Sequence, residues 1–301
     1  MQKMKFDLIV QINSNLNNET KAHIELIKLY NELGSKKGCN ILLDFSGIYF
    51  LSANLLALLG CCVDSIISSD KNQVSITHLH PKIKVVMQKN GFNRYFTWED
   101  KKDVYHSTMS YRIFAVNTDN LGDFERYLLL NIFNRKELPI MNPCYKDRIV
   151  DNFLEIFNNV IDHADSSAVY VCGQYFHKSS NLSFTIVDLG KTIKSNVTSY
   201  LAGKSIFVPD NTLDWAVLPG NSTKPDDPGG LGFSIIIDFL EHNKGSLILI
   251  SDDEIYELNN GKKRSRKMEV SFPGTVVTIT INLKDQHLYF LDKDNDSIII
   301  F

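Results

Sequence analysis

The stretch from Tyr145 to Ala164 constrains this chain more than any other. Wound at about 100° per residue, it sets Val150, Phe153, Phe157, Val160, Ile161 and Ala164 on one side. Glu155, Asn159, Asp162 and His163 fall within an arc of roughly 100° on the other. An apolar stripe of that length has to be covered by a sheet or by further helices. The polar stripe has an ordinary reading, a solvated face, and a chemical one, a row of ligands above a cleft. The flanking segments decide between the two.

Downstream, Ala168–Phe176 and Leu182–Val187 have the apolar, β-branched character of strands. A polar region punctuated by Gly and Pro then runs from Lys191 to Gly230. It is followed by a helix at Leu231–His242 and strands at Leu247–Ile250, Glu269–Phe272 and Thr275–Leu283. Upstream, a strand at Tyr111–Val116 and a helix around Phe124–Phe133 precede Pro139 and Pro143, which break the chain before the long helix. Residues 106–301 are thus predicted to form an α/β sandwich with helices on one face of a mostly antiparallel sheet.

Residues 1–105 alternate differently. A strand at Phe6–Ile12 leads to a helix at Asn18–Leu33, where Ala22, Leu26, Leu29, Tyr30 and Leu33 share a face and Gly34 stops the run. A buried-type strand follows at Asn40–Phe45, then a helix at Leu55–Ile67 and a strand at Gln73–Thr77. A helix opened by Pro81 ends at Asn90-Gly91. The polar segment from Tyr95 to Ser110 reads as a linker. At roughly 150 residues per domain, 301 residues with 44% hydrophobic content suit this two-domain α/β division.

Composition narrows the setting. A formal charge of -3 gives no reason to expect nucleic acid or an anionic membrane as a general partner. The longest apolar stretch, Ile48 to Val63, is interrupted by Ser52 and Asn54, and the amino terminus turns polar too soon for a secretory signal. Five cysteines (Cys39, Cys61, Cys62, Cys144, Cys172) form an odd set without a C-x-x-C pair. That predicts reduced thiols and a cytoplasmic location, with no membrane contact. Cys61-Cys62 reads as core packing, and Lys262-Lys263-Arg264-Ser265-Arg266-Lys267, after Asn259-Asn260-Gly261, as a solvated hairpin tip.

Two further segments speak for the chemical reading of the polar stripe. Thr185-Ile186-Val187-Asp188-Leu189-Gly190 is a buried-type strand ending in D-x-G. Asp227-Pro228-Gly229-Gly230-Leu231-Gly232-Phe233 is a glycine-rich turn running into a helix. Such a turn lets backbone N–H groups approach an anion at a helix N-terminus.

In this order the motifs resemble the nucleotide site of the GHKL ATPases, the superfamily of gyrase B, heat-shock chaperones, histidine kinases and MutL. Glu155-x-x-x-Asn159, Asp188-Leu189-Gly190, Gly230-Leu231-Gly232 and Gly274-Thr275 match its four motifs. The resemblance implies that Asp188 reads the adenine amino group with help from Thr275, and that Asn159 holds Mg²⁺. It makes Glu155 the general base toward water. It sets Gly229, Gly230, Leu231 and Gly232 around the phosphates of ATP, counts Gly190 of the D-x-G among the nucleotide-binding residues, and makes the segment from Lys191 to Pro228 a lid with Lys224 as a phosphate contact. Where a second glycine of D-x-G-x-G would stand, this chain has Thr192. None of the eight histidines precedes an acid, so the phosphoacceptor pattern of a histidine kinase is missing. His163 reads as a helix cap.

Within residues 1–105, Asp44-Phe45-Ser46-Gly47-Ile48-Tyr49-Phe50-Leu51-Ser52 resembles the central strand and switch loop of STAS domains. Pro81-Lys82-Ile83-Lys84-Val85-Val86-Met87 followed by Gly91-Phe92 resembles their last helix. In signalling members the loop carries an aspartate and then a phosphorylatable serine; here Ser52 and Ala53 stand there. The combined resemblance implies an Mg-ATP-binding regulatory protein with slow ATPase activity, a regulatory protein partner and ATP-driven homodimerisation. The alternatives are a protein serine kinase of the anti-sigma type acting on a STAS partner, and a non-hydrolysing nucleotide-sensing scaffold in stress response or phage defence.

Overall fold

A computed structural model describes residues 5–223, 232–292 and 297–300. The amino-terminal part alternates β1 (Leu8–Gln11), α1 (Thr20–Leu33), β2 (Asn40–Asp44), α2 (Leu56–Asp70), β3 (Gln73–Thr77) and α3 (Pro81–Asn90). Its three strands pair in parallel in the order β1-β2-β3, with Leu8 opposite Ile41 and Ile41 opposite Val74. Parallel neighbours need crossovers, which α1 and α2 supply. The expected face of α1 is the packed one: Ala22, Leu26, Leu29 and Leu33 are buried. Pro81 opens α3, where the His80 ring accepts from the Lys82 N–H at 3.2 Å, and Gly91 at φ 83° ends it.

The remainder contains β4 (Thr108–Ala115), α4 (Leu121–Leu128), β5 (Ile140–Met141), α5 (Pro143–His163), β6 (Ala168–Phe176) and β7 (Asn181–Leu189). Then come α6 (Ile193–Gly203), α7 (Thr212–Ala216), α8 (Gly232–Asn243), β8 (Ser246–Asn259), β9 (Lys262–Asn282), β10 (Leu288–Asp292) and β11 (Ser297–Ile300). Five strands form a wholly antiparallel sheet in the order β4-β6-β7-β9-β8, and β11-β10-β5 make a small satellite sheet.

The three strand segments expected after residue 246 are parts of one long hairpin, β8–β9. Its turn is Asn260-Gly261, with φ of 48° and 75°, a pair suited to a tight hairpin. The basic run after it is therefore the start of β9 rather than the tip. Pro273 does not end the strand, because the β8–β9 register slips there: Ser251 faces Thr275 while Asp252 faces Phe272. A bulge is where a residue without an N–H fits a strand.

The helices α4, α5 and α8 cover one face of the large sheet. There Phe153, Phe157 and Val160 share a core with Phe184, Ile186, Val277 and Ile279. The opposite face is covered too, by the amino-terminal part. Tyr170, Cys172, Val187, Ile248, Ile250 and Val276 are buried in one cluster with Leu26, Leu58, Cys61 and Cys62. Sequence periodicity assigned helices to a single face because α1 and α2 lie far away in the chain.

A polar ladder runs through this apolar contact. Asn54 Nδ2 donates to Thr185 Oγ1 at 3.0 Å and to Asn18 Oδ1 at 2.8 Å. Asn18 Nδ2 in turn donates to Ser183 Oγ and Thr280 Oγ1, both at 2.9 Å. The His23 Nε2 lies 2.9 Å from Thr278 Oγ1, and Thr278 Oγ1 lies 2.8 Å from Thr185 Oγ1. Burial lowers the His23 imidazole to about 4, so it is neutral at pH 7. Ser52 and Ala53 are buried in the same contact: the Ala53 N–H donates to Gln174 Oε1 at 2.7 Å and Ser52 Oγ to Asn54 Oδ1 at 2.7 Å. Among the described residues no helix is long and apolar enough to cross a membrane.

Candidate functional site

The polar stripe of α5 looks into a cleft. Glu155, Asn159 and His163 line it from that helix, Ile186 and Asp188 from β7, Thr275 and Val277 from β9, and Phe233 from α8. Asn196 of α6 and Trp215 of α7 close another side, with Asn221, Ser222 and Thr223 beyond them. The cleft, counted with its open mouth, takes in about 950 Å³ of space. Asp162, grouped with this stripe by helical angle, is exposed and does not line the cleft.

Asp188 is the most unusual group in it. Strand alternation sends Val187 into the core beneath α2 and turns Ile186 and Asp188 toward α5. The aspartate is 3% exposed, and its Oδ1 finds no hydrogen-bond partner among the described residues. Burial alone pushes the carboxyl up from 3.8 to about 8. A buried acceptor left unpaired costs about 1–3 kcal/mol, and a donor entering the cleft would recover that. Thr275 faces Asp188 in the β7–β9 register.

Two glycines make this crossing of backbones fit. A Cβ on Gly190 would lie 1.9 Å from the Ala164 carbonyl oxygen, just past the end of α5. A Cβ on Gly274 would lie 2.0 Å from the Asp188 carbonyl oxygen. Gly190 therefore acts behind the cleft, by letting β7 pass close to α5, and does not line it. We predict that Gly190→Ala destabilises the fold by roughly 3 kcal/mol, since backbone cannot yield as a side chain can. The denaturant midpoint measures this, and an unchanged midpoint would refute the close packing.

Thr192 caps α6, its hydroxyl accepting from the Ser195 N–H at 3.1 Å. A helix start thus occupies the place where a glycine hinge was sought. Ser251, which the sequence gave no reason to single out, ties this start to the sheet. Its Oγ accepts from the Ile193 N–H at 2.9 Å and donates to the Gly274 carbonyl at 3.0 Å. The region expected to be an irregular lid holds two helices, α6 and α7, and Asn196 Nδ2 donates to the His163 carbonyl at 3.3 Å. His163, expected as a cap, sits in the last turn of α5 and its side chain also lines the cleft.

Glu155, Asn159, Asp188 and Thr275, four positions chosen by motif, thus share one cavity. Gly232 is the first residue of α8. Lys224, Gly229, Gly230 and Leu231, taken from the sequence as phosphate contacts, lie outside the described residues. Among the described residues no group of three or more His, Cys, Asp or Glu side chains could hold a metal ion. Scanned against protein-family models the chain matches none, and no curated protein sequence matches it.

Proposed function

We propose that the cleft binds Mg-ATP and hydrolyses it slowly, and that the chain is a nucleotide-controlled regulatory protein of GHKL type with a STAS-like amino-terminal domain. The observation that carries this is the buried Asp188 Oδ1, without a hydrogen-bond partner among the described residues, in the cavity that Glu155 and Asn159 also line. A heterocycle with an exocyclic amino group supplies the donor that Asp188 lacks, and the Thr275 hydroxyl stands beside it. The apolar walls, Ile186, Val277 and Phe233, suit a planar ring.

One helical turn separates Glu155 from Asn159, so their side chains project in the same direction. Mg²⁺, when bound, would neutralise phosphate charge, with the Asn159 amide oxygen as its protein ligand and phosphate and water in the remaining positions. Glu155 would then orient the attacking water and accept its proton. Closure of α6 and α7 over the mouth would exclude bulk water. The amino-terminal domain would sense the state of the cleft from behind: Asn54 bonds Thr185, on the strand that carries Asp188.

A serine-kinase reading would need a separate STAS protein as acceptor. In this chain Ala53 has no hydroxyl and Ser52 is sealed against the large sheet. The test is nucleotide binding and phosphate release on the full chain. Glu155→Ala is expected to lower turnover at least about 100-fold, as loss of a general base does, while binding stays within a factor of about two. Full turnover in that variant removes Glu155 from the mechanism, and absence of ATP binding by the wild type removes the reading altogether.

A further inference from the structure

A second cleft lies on the seam between the two halves of the chain, apart from the first. It is lined by the end of α3, the segment after it and β4, and encloses about 1310 Å³ of open space, mouth included. Five cations converge there: Lys89, Arg94, Lys101, Lys102 and Arg112. Only two carboxylates line it, Asp100 and Asp103, so the lining carries a formal charge of +3 (five minus two) in a chain whose total is -3.

Of the five, Lys89 alone pairs with one of those acids among the described residues. Asp103 is already engaged: it accepts from the Thr108 N–H at 2.7 Å, from the Ser107 and Thr108 hydroxyls, and from Lys89 at 3.2 Å. Asp100 accepts from Asn93 Nδ2 at 2.8 Å. Among the described residues Arg94, Lys101, Lys102 and Arg112 make no ion pair, and all four are exposed. The carboxyl-terminal end of α3 favours nearby positive charge. It accounts for Lys89 and Arg94 at most, since Lys101, Lys102 and Arg112 come from the connecting segment and β4.

We propose that this cleft binds a compact polyvalent anion, a small phosphorylated molecule bearing about three negative charges, to match the lining. The like charges gathered on its walls repel one another, and such a ligand relieves that repulsion. A long polyanion is matched less well. Asp100 in the lining is exposed, and the chain outside the lining is net negative. The connecting segment is also braced for a ligand-bearing role: Gln88 Nε2 donates to the Glu99 carbonyl and Asn93 Nδ2 to the Trp98 carbonyl, each at 2.9 Å. Because α3 and β4 belong to different halves of the chain, a ligand here would bridge them.

The experiment is calorimetric titration of inorganic tripolyphosphate into the full chain, the double reversal Lys101→Glu/Arg112→Glu and Asp188→Asn. Both reversed side chains are exposed, and unchanged melting would certify the fold. We expect binding by the wild type and by Asp188→Asn, and an affinity lower by roughly tenfold or more in the double reversal, with wild-type binding weakening as salt is raised. No binding by the wild type, or equal affinity in the double reversal, overturns the proposal. So does a labelled single-stranded oligonucleotide that binds more tightly than tripolyphosphate and loses its affinity in the double reversal, which would assign the cleft to nucleic acid. Loss of tripolyphosphate binding in Asp188→Asn alone would assign the signal to the first cleft and likewise overturn it.

Discussion

Asp188→Asn is expected to weaken adenine-nucleotide binding about 10- to 100-fold, within the roughly 1–3 kcal/mol that a buried polar group left unpaired costs. The same substitution changes how the empty protein responds to pH. Burial raises the Asp188 carboxyl to about 8 in the folded chain, against 3.8 when it is free. Below pH of about 4 both folded and unfolded chains hold the proton. Between about 4 and 8 only the folded chain holds it, and each pH unit costs up to about 1.4 kcal/mol of stability. Above about 8 neither state holds the proton and the loss is complete. Wild-type stability should therefore fall, relative to Asp188→Asn, as pH rises from 5 to about 8, and the difference should then level off. Urea unfolding of both proteins at several pH values measures it. Parallel curves would mean that Asp188 is hydrated or paired, and the argument for its ligand would go with its burial.

Removing residues 1–105 is expected to leave a chain that does not fold as a soluble monomer. The face of the large sheet that α1 and α2 cover carries Tyr170, Cys172, Val187, Ile248, Ile250, Ile255, Phe272 and Val276, all buried. Uncovering large apolar side chains costs about 1.5–3 kcal/mol each, and even half of that sum rivals the 5–15 kcal/mol that stabilises a typical domain. The Asn54–Thr185 and Asn18–Ser183 bonds would be lost with it. Expression of residues 106–301 with circular dichroism and size exclusion tests this. A monomeric truncated chain melting as the full chain does would show that the two halves are independent.

Much of the site was legible in the sequence. The polar stripe of α5, the D-x-G at the end of β7 and the Gly-Thr in β9 are local patterns, and short-range physics explains them. An amphipathic helix turns its residues at fixed angles. Gly190 and Gly274 stand where a Cβ would collide with backbone at 1.9 and 2.0 Å. Element positions followed for the same reason: β3 and β6 span the predicted residues, and α5 differs by two residues at its start and one at its end. The long hairpin was read as fragments because Pro273 and Gly274 look like breakers, and only the register slip beside them keeps the strand whole. The basic run was misplaced to the turn for a related reason, as strand pairing rather than charge decides where β9 begins.

What the sequence determined by itself was a set of parts: most of the helices and strands outside residues 191–230, which side of α5 is polar, and which glycines must stay small. These depend on neighbours within a few residues along the chain. The tertiary structure alone decided the rest. It buried Asp188 without a partner among the described residues, tied Ala53 to Gln174 and Ser52 to Asn54, put α1 and α2 behind the sheet, and gathered five cations from three segments into one cleft. Each depends on residues distant in the chain, and burial, pairing and summed charge are properties of what ends up adjacent in space.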